Sequence, residues 1–347
     1  MNKILLFGAT RAANLCRYIL PIQEYLILRD QALDTFFPEA RSYDLIHGYE
    51  QRYSSAFHDY LEKYPPAEKK HLLSDFKRGL DSESGQVIDR LLSFYSRING
   101  GERIPHRERY DLSWKDDIAP ILKELVRLKG ELNPPPEFWI EEHIDCFYFQ
   151  SGLRFVPPEI RSRCTRGKDI LDCGAFNGDT AFMFSNMTES RKVYAFEPDN
   201  TNHSKMLGLL EAYPQDKVVP LRLGVGEKAA SVNMHSEGPS SYVDEISGSG
   251  NIIQITDIDS FVDKEGISPG VIKMDIEGHE MKAIRGALKT IKKHRPVLLI
   301  AMYHSPVDFF EIKPLLEKAV PGYRFMVRHL VFSHAAFETF LIAYPVN

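Results

Sequence analysis

The sequence predicts an α/β fold: a parallel, doubly wound sheet, preceded by a mainly helical N-terminal domain with a short strand-helix start. Three observations predict it. From about residue 145 onward, short apolar segments alternate with helical segments, a pattern typical of parallel strands with helices on both faces of the sheet. Upstream of residue 130, after its first elements, the chain is polar and helical. The length of 347 residues corresponds to about two domains at roughly 150 residues each.

Composition excludes several classes of protein. Hydrophobic residues make up 43% and charged residues 26%, as expected for a globular chain that buries a core. With 43 basic and 48 acidic residues the net charge is -5, so nucleic acid is not an expected partner. The longest apolar run, Val297–Tyr303, is too short to span a membrane, and the first residues lack a signal-peptide cleavage site. The four cysteines form no CxxC pair. We expect a cytoplasmic protein without a membrane span.

The N-terminal domain is predicted to cover residues 1–140, with the boundary between Gly130 and Arg154. Its predicted strands are Lys3–Phe7 and Tyr25–Leu28, and its predicted helices are Arg11–Leu20, Asp44–Tyr64, Glu83–Ile98 and Trp114–Lys129. Proline or glycine ends each of the last three helices. Apolar residues recur at helical spacing along Glu83–Ile98, so this helix needs a partner surface. They are Val87, Leu91, Leu92, Phe94 and Tyr95.

The second domain is predicted to cover residues 141–347 and to open with a hairpin, Asp145–Val156, turning at Ser151. Its predicted strands are Asp169–Cys173, Lys192–Phe196, Val218–Leu223, Val271–Met274, Val297–Met302, Tyr323–Phe332 and Glu338–Tyr344. Its predicted helices are Thr180–Asn186, Asn200–Ala212, Glu280–His294 and Phe309–Ala319. Parallel sheets bind ligands at the carboxyl ends of their strands, so functional side chains are expected there.

The first such strand end carries a glycine-containing turn. Asp172 stands at the end of the strand, and Gly174 and Gly178 permit tight backbone geometry and close approach of a ligand. A carboxylate here would repel a pyrophosphate but suits a cationic amino-acid group, such as the methionine part of S-adenosylmethionine (SAM). The spacing is GxxxG, not the GxGxxG of dinucleotide sites. The alternative is a structural turn that binds nothing.

The next strand ends at an acidic residue, about 25 residues farther along the chain. Glu197 is followed by Pro198 and Asp199 and occupies the place where Rossmann-type folds present a carboxylate to ribose. A carboxylate accepts two hydrogen bonds from a vicinal diol, which explains the residue type. The alternative is an acidic residue on a surface loop.

Five motifs in this order resemble the FkbM family of SAM-dependent methyltransferases, over roughly residues 145 to 347. They are Asp172–Gly178, Ala195–Pro198, Gly224–Gly226, Thr256–Phe261 and Ile272–Glu280. The resemblance implies a class I methyltransferase (Rossmann-like) fold, a mostly parallel seven-stranded sheet with its last strand antiparallel. It also implies methyl transfer from SAM to a hydroxyl of a sugar, a polyketide or another secondary metabolite. The residues expected to bind the cofactor are Asp172, Gly174, Ala175, Asn177, Gly178, Glu197, Pro198, Asp199 and Gly224.

Three residues are candidates for catalysis. Asp275 and Glu277 follow the strand Val271–Met274, and they either bind the acceptor and act as a general base or cap the next helix. His304 follows the strand Val297–Met302, and its ordinary pKa near 6.5 suits a proton acceptor. The alternative for His304 is a loop histidine bonded to a backbone carbonyl. Glu280 is expected to tie the loop to the helix.

Asp275, Glu277 and His304 could also hold magnesium, as in some O-methyltransferases, but we favour a reaction without metal. Arg328 and His329 either reach an anionic substrate or are solvated charges at the sheet edge. The expected partner is a small-molecule or carbohydrate acceptor, with Ser240, Ser241 and Tyr242 beside its pocket. The N-terminal helices would cap the site or form a homodimer. A nicotinamide-dependent oxidoreductase and a non-catalytic SAM-binding protein are the two alternative functions.

Overall fold

Seven strands form one central sheet. The computed structural model describes residues 43–102, 118–135, 138, 144–235, 242–244, 251–331 and 337–346. Its strands are β1 (Asp169–Cys173), β2 (Val193–Phe196), β3 (Val218–Leu221), β4 (Gly224–Val225), β5 (Ala230–His235), β6 (Tyr242–Asp244), β7 (Asn251–Thr256), β8 (Pro269–Met274), β9 (Val297–Ala301), β10 (Tyr323–His329) and β11 (Thr339–Pro345). The sheet order is β10-β11-β9-β8-β1-β2-β3, and only β11 runs antiparallel to its neighbours. The predicted mostly parallel, seven-stranded sheet is confirmed.

Helices cover both faces of this sheet, which is why β1, β8 and β9 are buried along their whole length and consist largely of apolar residues. The helices are α1 (Tyr43–Glu62), α2 (Pro66–Lys77), α3 (Ser82–Asn99), α4 (Ile118–Leu132), α5 (Ile144–Phe149), α6 (Pro158–Thr165), α7 (Asp179–Met187), α8 (Asn200–Ala212), α9 (Ile258–Glu265), α10 (Glu280–Arg285), α11 (Leu288–His294) and α12 (Pro306–Ala319). Among the described helices, none is both long enough and apolar enough to cross a membrane.

The N-terminal helices pack directly on the sheet and on α12. Phe57 of α1 and Phe76 of α2 contact Phe309 of α12, with ring centroids 5.3 and 5.1 Å apart. The predicted apolar surface of α3 packs against β10, and its residues belong to the same core as the sheet. The partner surface that this helix needs is therefore formed by strand β10 and helix α1. The division into 1–140 and 141–347 stays a prediction.

Arg328 joins β10 to the start of α3. Its guanidinium is buried and donates to both carboxylate oxygens of Asp81, at 3.1 and 2.6 Å, and to the Ser84 hydroxyl at 2.9 Å. His329 is buried beside Thr339. Both interpretations of these two residues, contact with an anionic substrate and solvation at the sheet edge, are therefore wrong.

Two segments differ from the prediction. The expected hairpin at residues 145–156 is wrong: α5 is followed by a 3-10 helix, Gln150–Phe155. The chain does turn at Ser151 and Gly152, with φ of 49° and 98°, but Phe147 and Phe149 on α5 are both buried, so apolar alternation here does not mark a strand. The single helix predicted over 280–294 divides into α10 and α11 at Gly286, where a Cβ would lie 2.2 Å from the Gly226 carbonyl oxygen.

A second, four-stranded sheet of order β4-β7-β5-β6 was not predicted, nor was helix α2. The expected elements Lys3–Phe7, Arg11–Leu20 and Tyr25–Leu28 lie outside the described residues, as do Ser240 and Ser241. Tyr242 begins strand β6.

Candidate active site

The turn after β1 requires glycine at two positions. Gly174 and Gly178 have φ of 81° and 91°, in the left-handed region that favours glycine. A Cβ on Gly174 would lie 1.8 Å from the Asp275 carbonyl oxygen, and a Cβ on Gly178 would lie 2.9 Å from Cγ of Met206. The turn therefore runs against the loop after β8, which brings the first and the last of the quoted motifs into contact.

Asp172 is fully buried beneath this turn. The Thr180 hydroxyl donates to Asp172 Oδ2 at 2.6 Å, and Lys273 Nζ lies 3.3 Å from Oδ1. Lys273 is itself buried in β8 and donates to the Gly174 carbonyl at 2.7 Å. Asp172 stands at the end of β1 as predicted but is enclosed in the core, and its assignment to cofactor binding stays a prediction. Its observed role is to hold, through Lys273, the carbonyl of the glycine turn.

Sequence reasoning did not single out Lys273. Its place inside an otherwise apolar strand could have indicated a buried, paired lysine, since lysines are almost never fully buried unless paired. Burial lowers the pKa of Lys273, but the carboxylates of Asp172 and Asp275 outweigh burial and raise this pKa above its ordinary value. The lysine is therefore charged. Burial raises the pKa of Asp172, and the charge of Lys273 opposes that rise inside the sheet.

Glu197 lies at the end of β2 beside the same turn. Its Oε2 accepts from the Phe176 amide at 2.9 Å, and its Oε1 accepts from the Asp199 amide at 2.8 Å. Burial raises the pKa of Glu197 to about 7. Asp199 caps helix α8 by accepting from the amides of Thr201 and Asn202. Glu197 is thus held rigidly against the glycine turn, and Asp199 is a helix cap.

The other predicted cofactor residues surround this position. Ala175 is buried, and the side chain of Asn177 accepts from the Asp179 amide at 3.3 Å. A Cβ on Gly224 would lie 3.6 Å from Cβ of Pro198, so the start of β4 adjoins the end of β2. The fold therefore brings these residues to one edge of the sheet.

The ends of β8 and β9 bring together three carboxylates and one histidine, here called the carboxylate–histidine cluster: Asp275, Glu277, Glu280 and His304. Nδ1 of His304 lies 3.0 Å from Glu280 Oε1, and its Nε2 lies 3.4 Å from Asp275 Oδ1 and 3.8 Å from Glu277 Oε2. The side chains of Asp275 and Glu277 are 21% and 32% exposed, so a ligand can reach them. The three candidate catalytic residues do meet.

Contacts within the cluster decide between the alternatives. Glu280 Oε1 also accepts from the Ile276 amide at 2.8 Å, so Glu280 ties the loop to helix α10 as predicted. The amide of Met281 in the first turn of α10 is capped by Asp308, not by Asp275 or Glu277. His304 faces carboxylates and not a backbone carbonyl. The structural alternatives weighed for these three candidates are therefore not observed.

Protonation differs across the cluster. Burial lowers the pKa of His304, but Glu280, Glu277 and Asp275 together raise it to about 10. Burial, with Asp275 and Glu280, raises the pKa of Glu277 to about 7 although His304 lowers it. At neutral pH His304 is therefore an imidazolium, and Glu277 is close to half protonated.

Glu277 also has an unusual backbone. Its φ of 57° lies in the left-handed region, which is uncommon for residues other than glycine, asparagine and aspartate. Such strain costs of order 1 to 3 kcal/mol and is concentrated at functional sites.

Ligand atoms of Asp275, Glu280 and His304 lie within 4.8 Å of one another, so this trio could hold a metal ion. The trio differs from the predicted set because it contains Glu280 in place of Glu277. Nδ1 of His304 contacts Oε1 of Glu280, whereas Nε2 of His304 and Oε2 of Glu280 form no hydrogen bond among the described residues.

Comparisons with known proteins agree with this fold. Residues 172–325 match the methyltransferase FkbM domain. The hexuronic acid methyltransferase AglP of Haloferax volcanii is 26% identical over 155 residues, which cover 44% of this chain and 62% of that protein. The crystal structure of methyltransferase FkbM from Methylobacillus flagellatus has a TM-score of 0.53 and 21% identity, covering 80% of this chain and 59% of that one.

The present chain therefore spans about three fifths of the length of each of these two relatives. The matched segment begins at Asp172 and contains the glycine turn, Glu197 and the whole carboxylate–histidine cluster. Over residues 172–325 the chain is therefore similar to the methyltransferase domain of the FkbM family.

Proposed function

We propose that this protein is a SAM-dependent O-methyltransferase acting on a hydroxyl of a sugar or another small metabolite. One observation carries the proposal: the glycine turn, Glu197 and the carboxylate–histidine cluster all lie at the carboxyl ends of β1, β2, β8 and β9. The strand order reverses between β1 and β8, and ligands of open α/β sheets bind at such a switch point. Similarity to a hexuronic acid methyltransferase supports a sugar acceptor.

The residues present fit SAM. Each carboxylate oxygen of Glu197 accepts one backbone N–H and has a further lone pair, so the pair of oxygens can receive both hydroxyls of a ribose. Gly174 and Gly178 give the turn its left-handed backbone conformation, and we place the methionine part beside this turn. When bound, SAM supplies an electrophilic methyl group on a sulfonium. The protein has to position the acceptor oxygen in line with that methyl group and exclude competing orientations.

We assign the proton transfer to Glu277. An effective base has a pKa near the working pH, and the pKa of Glu277 is about 7. Asp275 accepts a hydrogen bond from the acceptor and orients it. His304 was another candidate base, but with a pKa of about 10 it retains its proton and instead keeps both carboxylates in place. We favour a reaction without a metal ion.

Two measurements test the function. Calorimetric titration should show SAM binding to the wild type, about ten- to a hundredfold weaker binding to Glu197→Gln, and unchanged binding to Glu211→Gln, an exposed control. Methyl-labelled SAM incubated with protein and cell extract should then label a small metabolite. Binding of a nicotinamide nucleotide in place of SAM would contradict the proposal, and SAM binding without transfer would indicate the non-catalytic alternative.

A further inference from the structure

Helix α1 places an aromatic side chain over the carboxylate–histidine cluster. The Tyr53 ring meets His304, Tyr303 and Phe337 edge to face, with centroids 6.3, 6.0 and 5.9 Å apart. Tyr53 lies far upstream of the matched methyltransferase domain, which begins at residue 172. A part of the chain outside that domain thus forms one wall of the candidate active site.

The position of Tyr53 is fixed by its helix. One residue along, the Ser54 hydroxyl donates to the Tyr95 carbonyl of α3 at 2.7 Å. One turn along, Phe57 is buried against α12, and Tyr60 stacks on Phe310 at 5.4 Å. These anchors stand on both sides of α1, so Tyr53 cannot swing away from the cluster without breaking the core.

The hydroxyls of Tyr53 and of the neighbouring Tyr303 differ in their hydrogen bonds. Tyr303 donates to Glu338 at 3.2 Å, whereas within the described ranges the Tyr53 hydroxyl forms no hydrogen bond. Burial and the nearby charge of Glu277 raise the pKa of Tyr53 well above its usual value although Arg52 lowers it, so the hydroxyl stays protonated. It is therefore a hydrogen-bond donor near two carboxylates whose side chains are partly exposed.

The charges around Tyr53 indicate what kind of molecule fits. The charged groups that act on Tyr53 are the carboxylates of Glu277, Asp275 and Glu280 and the guanidinium of Arg52. The positive charge of His304 is already surrounded by carboxylates. Carboxylates outnumber cations in this set, so an anionic acceptor is disfavoured, whereas hydroxyl groups can donate to the carboxylates. An aromatic ring offers an apolar surface to the C–H face of a sugar ring.

We propose that Tyr53, Asp275 and Glu277 form the acceptor subsite, and that it takes an uncharged polyhydroxyl acceptor such as a neutral hexose unit. Tyr53 donates to an acceptor oxygen and is a specificity residue, not a catalytic one. The proposal rests on the proposed function, because it assumes that a methyl group is transferred at this edge of the sheet.

The test measures transfer from tritiated SAM to the methyl glycosides of glucose, mannose and galactose and to the matching uronides. The neutral glycosides should be methylated with kcat/KM at least about tenfold higher than the uronides. Tyr53→Phe keeps the ring, so it should raise KM for the glycoside about tenfold, which corresponds to one lost hydrogen bond, with kcat and the Kd of SAM nearly unchanged. Tyr60→Phe removes a hydroxyl from the same helix, where it donates to Glu311, and serves as the matched control.

The outcomes separate this proposal from the proposed function. A Tyr53→Phe variant with the wild-type KM overturns the role of Tyr53, and equal effects in Tyr60→Phe show that the helix, not the subsite, is responsible. Preference for uronides, or transfer to an extract metabolite but to none of the glycosides, overturns the acceptor class. If the wild type neither binds SAM nor transfers methyl to any acceptor, the proposed function itself fails.

Discussion

Replacing Lys273 by methionine should destabilise the fold by several kcal/mol. Methionine has a similar length and keeps the apolar stem packed in β8, so the change removes mainly the charge. Asp172 would then be a fully buried carboxylate without its cation, and the Gly174 carbonyl would lose its donor at 2.7 Å. Breaking a buried ion pair by removing one partner typically costs about 3 to 5 kcal/mol.

Urea unfolding at neutral pH measures this loss as a lower midpoint with an unchanged slope. The exposed Lys264, whose side chain is 81% accessible, provides the control: Lys264→Met should change stability by less than about 0.5 kcal/mol. The double variant Asp172→Asn/Lys273→Met carries no buried charge and should recover more than half of the lost stability. Its SAM affinity should stay reduced, because the carbonyl of the glycine turn is still not held.

Two results would refute this reasoning. A Lys273→Met protein within about 1 kcal/mol of the wild type would show that Asp172 is neutral or hydrated, contrary to its burial. A double variant less stable than Lys273→Met would show that the two charges do not compensate each other.

The remaining predictions concern the active site and the N-terminal helices. Glu277→Gln should lower kcat by about 10²- to 10⁴-fold with unchanged SAM affinity, and the wild-type rate should rise with pH through about 7, where Glu277 loses its proton. The folded-state pKa of His304 is raised, so the protonated imidazole contributes fully to stability below about pH 6.5, and this contribution is lost as the pH rises toward 10. Unfolding of the wild type and of His304→Gln, measured as a function of pH, tests this. Arg328→Met should make the helices α1–α3 more sensitive to proteolysis than the sheet, since Asp81 and Ser84 lose their partner. A chelator should leave the rate unchanged, and a loss restored by magnesium would contradict the metal-free reaction.

The sheet was predictable because its strands are locally distinctive. Strands buried on both faces are short continuous apolar runs, and the residues that follow them, such as Glu197 and Asp275, mark the functional edge without any knowledge of contacts. The hairpin predicted at residues 145–156 was wrong because the sequence of this segment is not locally distinctive. A short aromatic run suits a strand and a helix equally, and only its packing decides between them.

The chemistry of the site was less predictable because it depends on contacts between residues that are far apart in the sequence. The positions of Asp275, Glu277 and His304 at one edge followed from strand order, but the raised pKa of His304 depends on how closely three carboxylates surround it. The contact of Arg328 with Asp81 joins residues 247 positions apart, and no local pattern of charge indicates it. Local sequence thus locates the site, while the protonation states in it are tertiary properties.

The separation of Asp81 and Arg328 also affects how the chain folds during synthesis. Helices α1–α3 leave the ribosome long before α12 and β10, the elements on which they pack. At roughly 5 to 20 residues per second, these helices wait on the order of 10 to 50 seconds with Phe57 and Phe76 uncovered. Nascent chains stalled before residue 306 should therefore bind chaperones through this surface, and chains extended beyond residue 345 should release them.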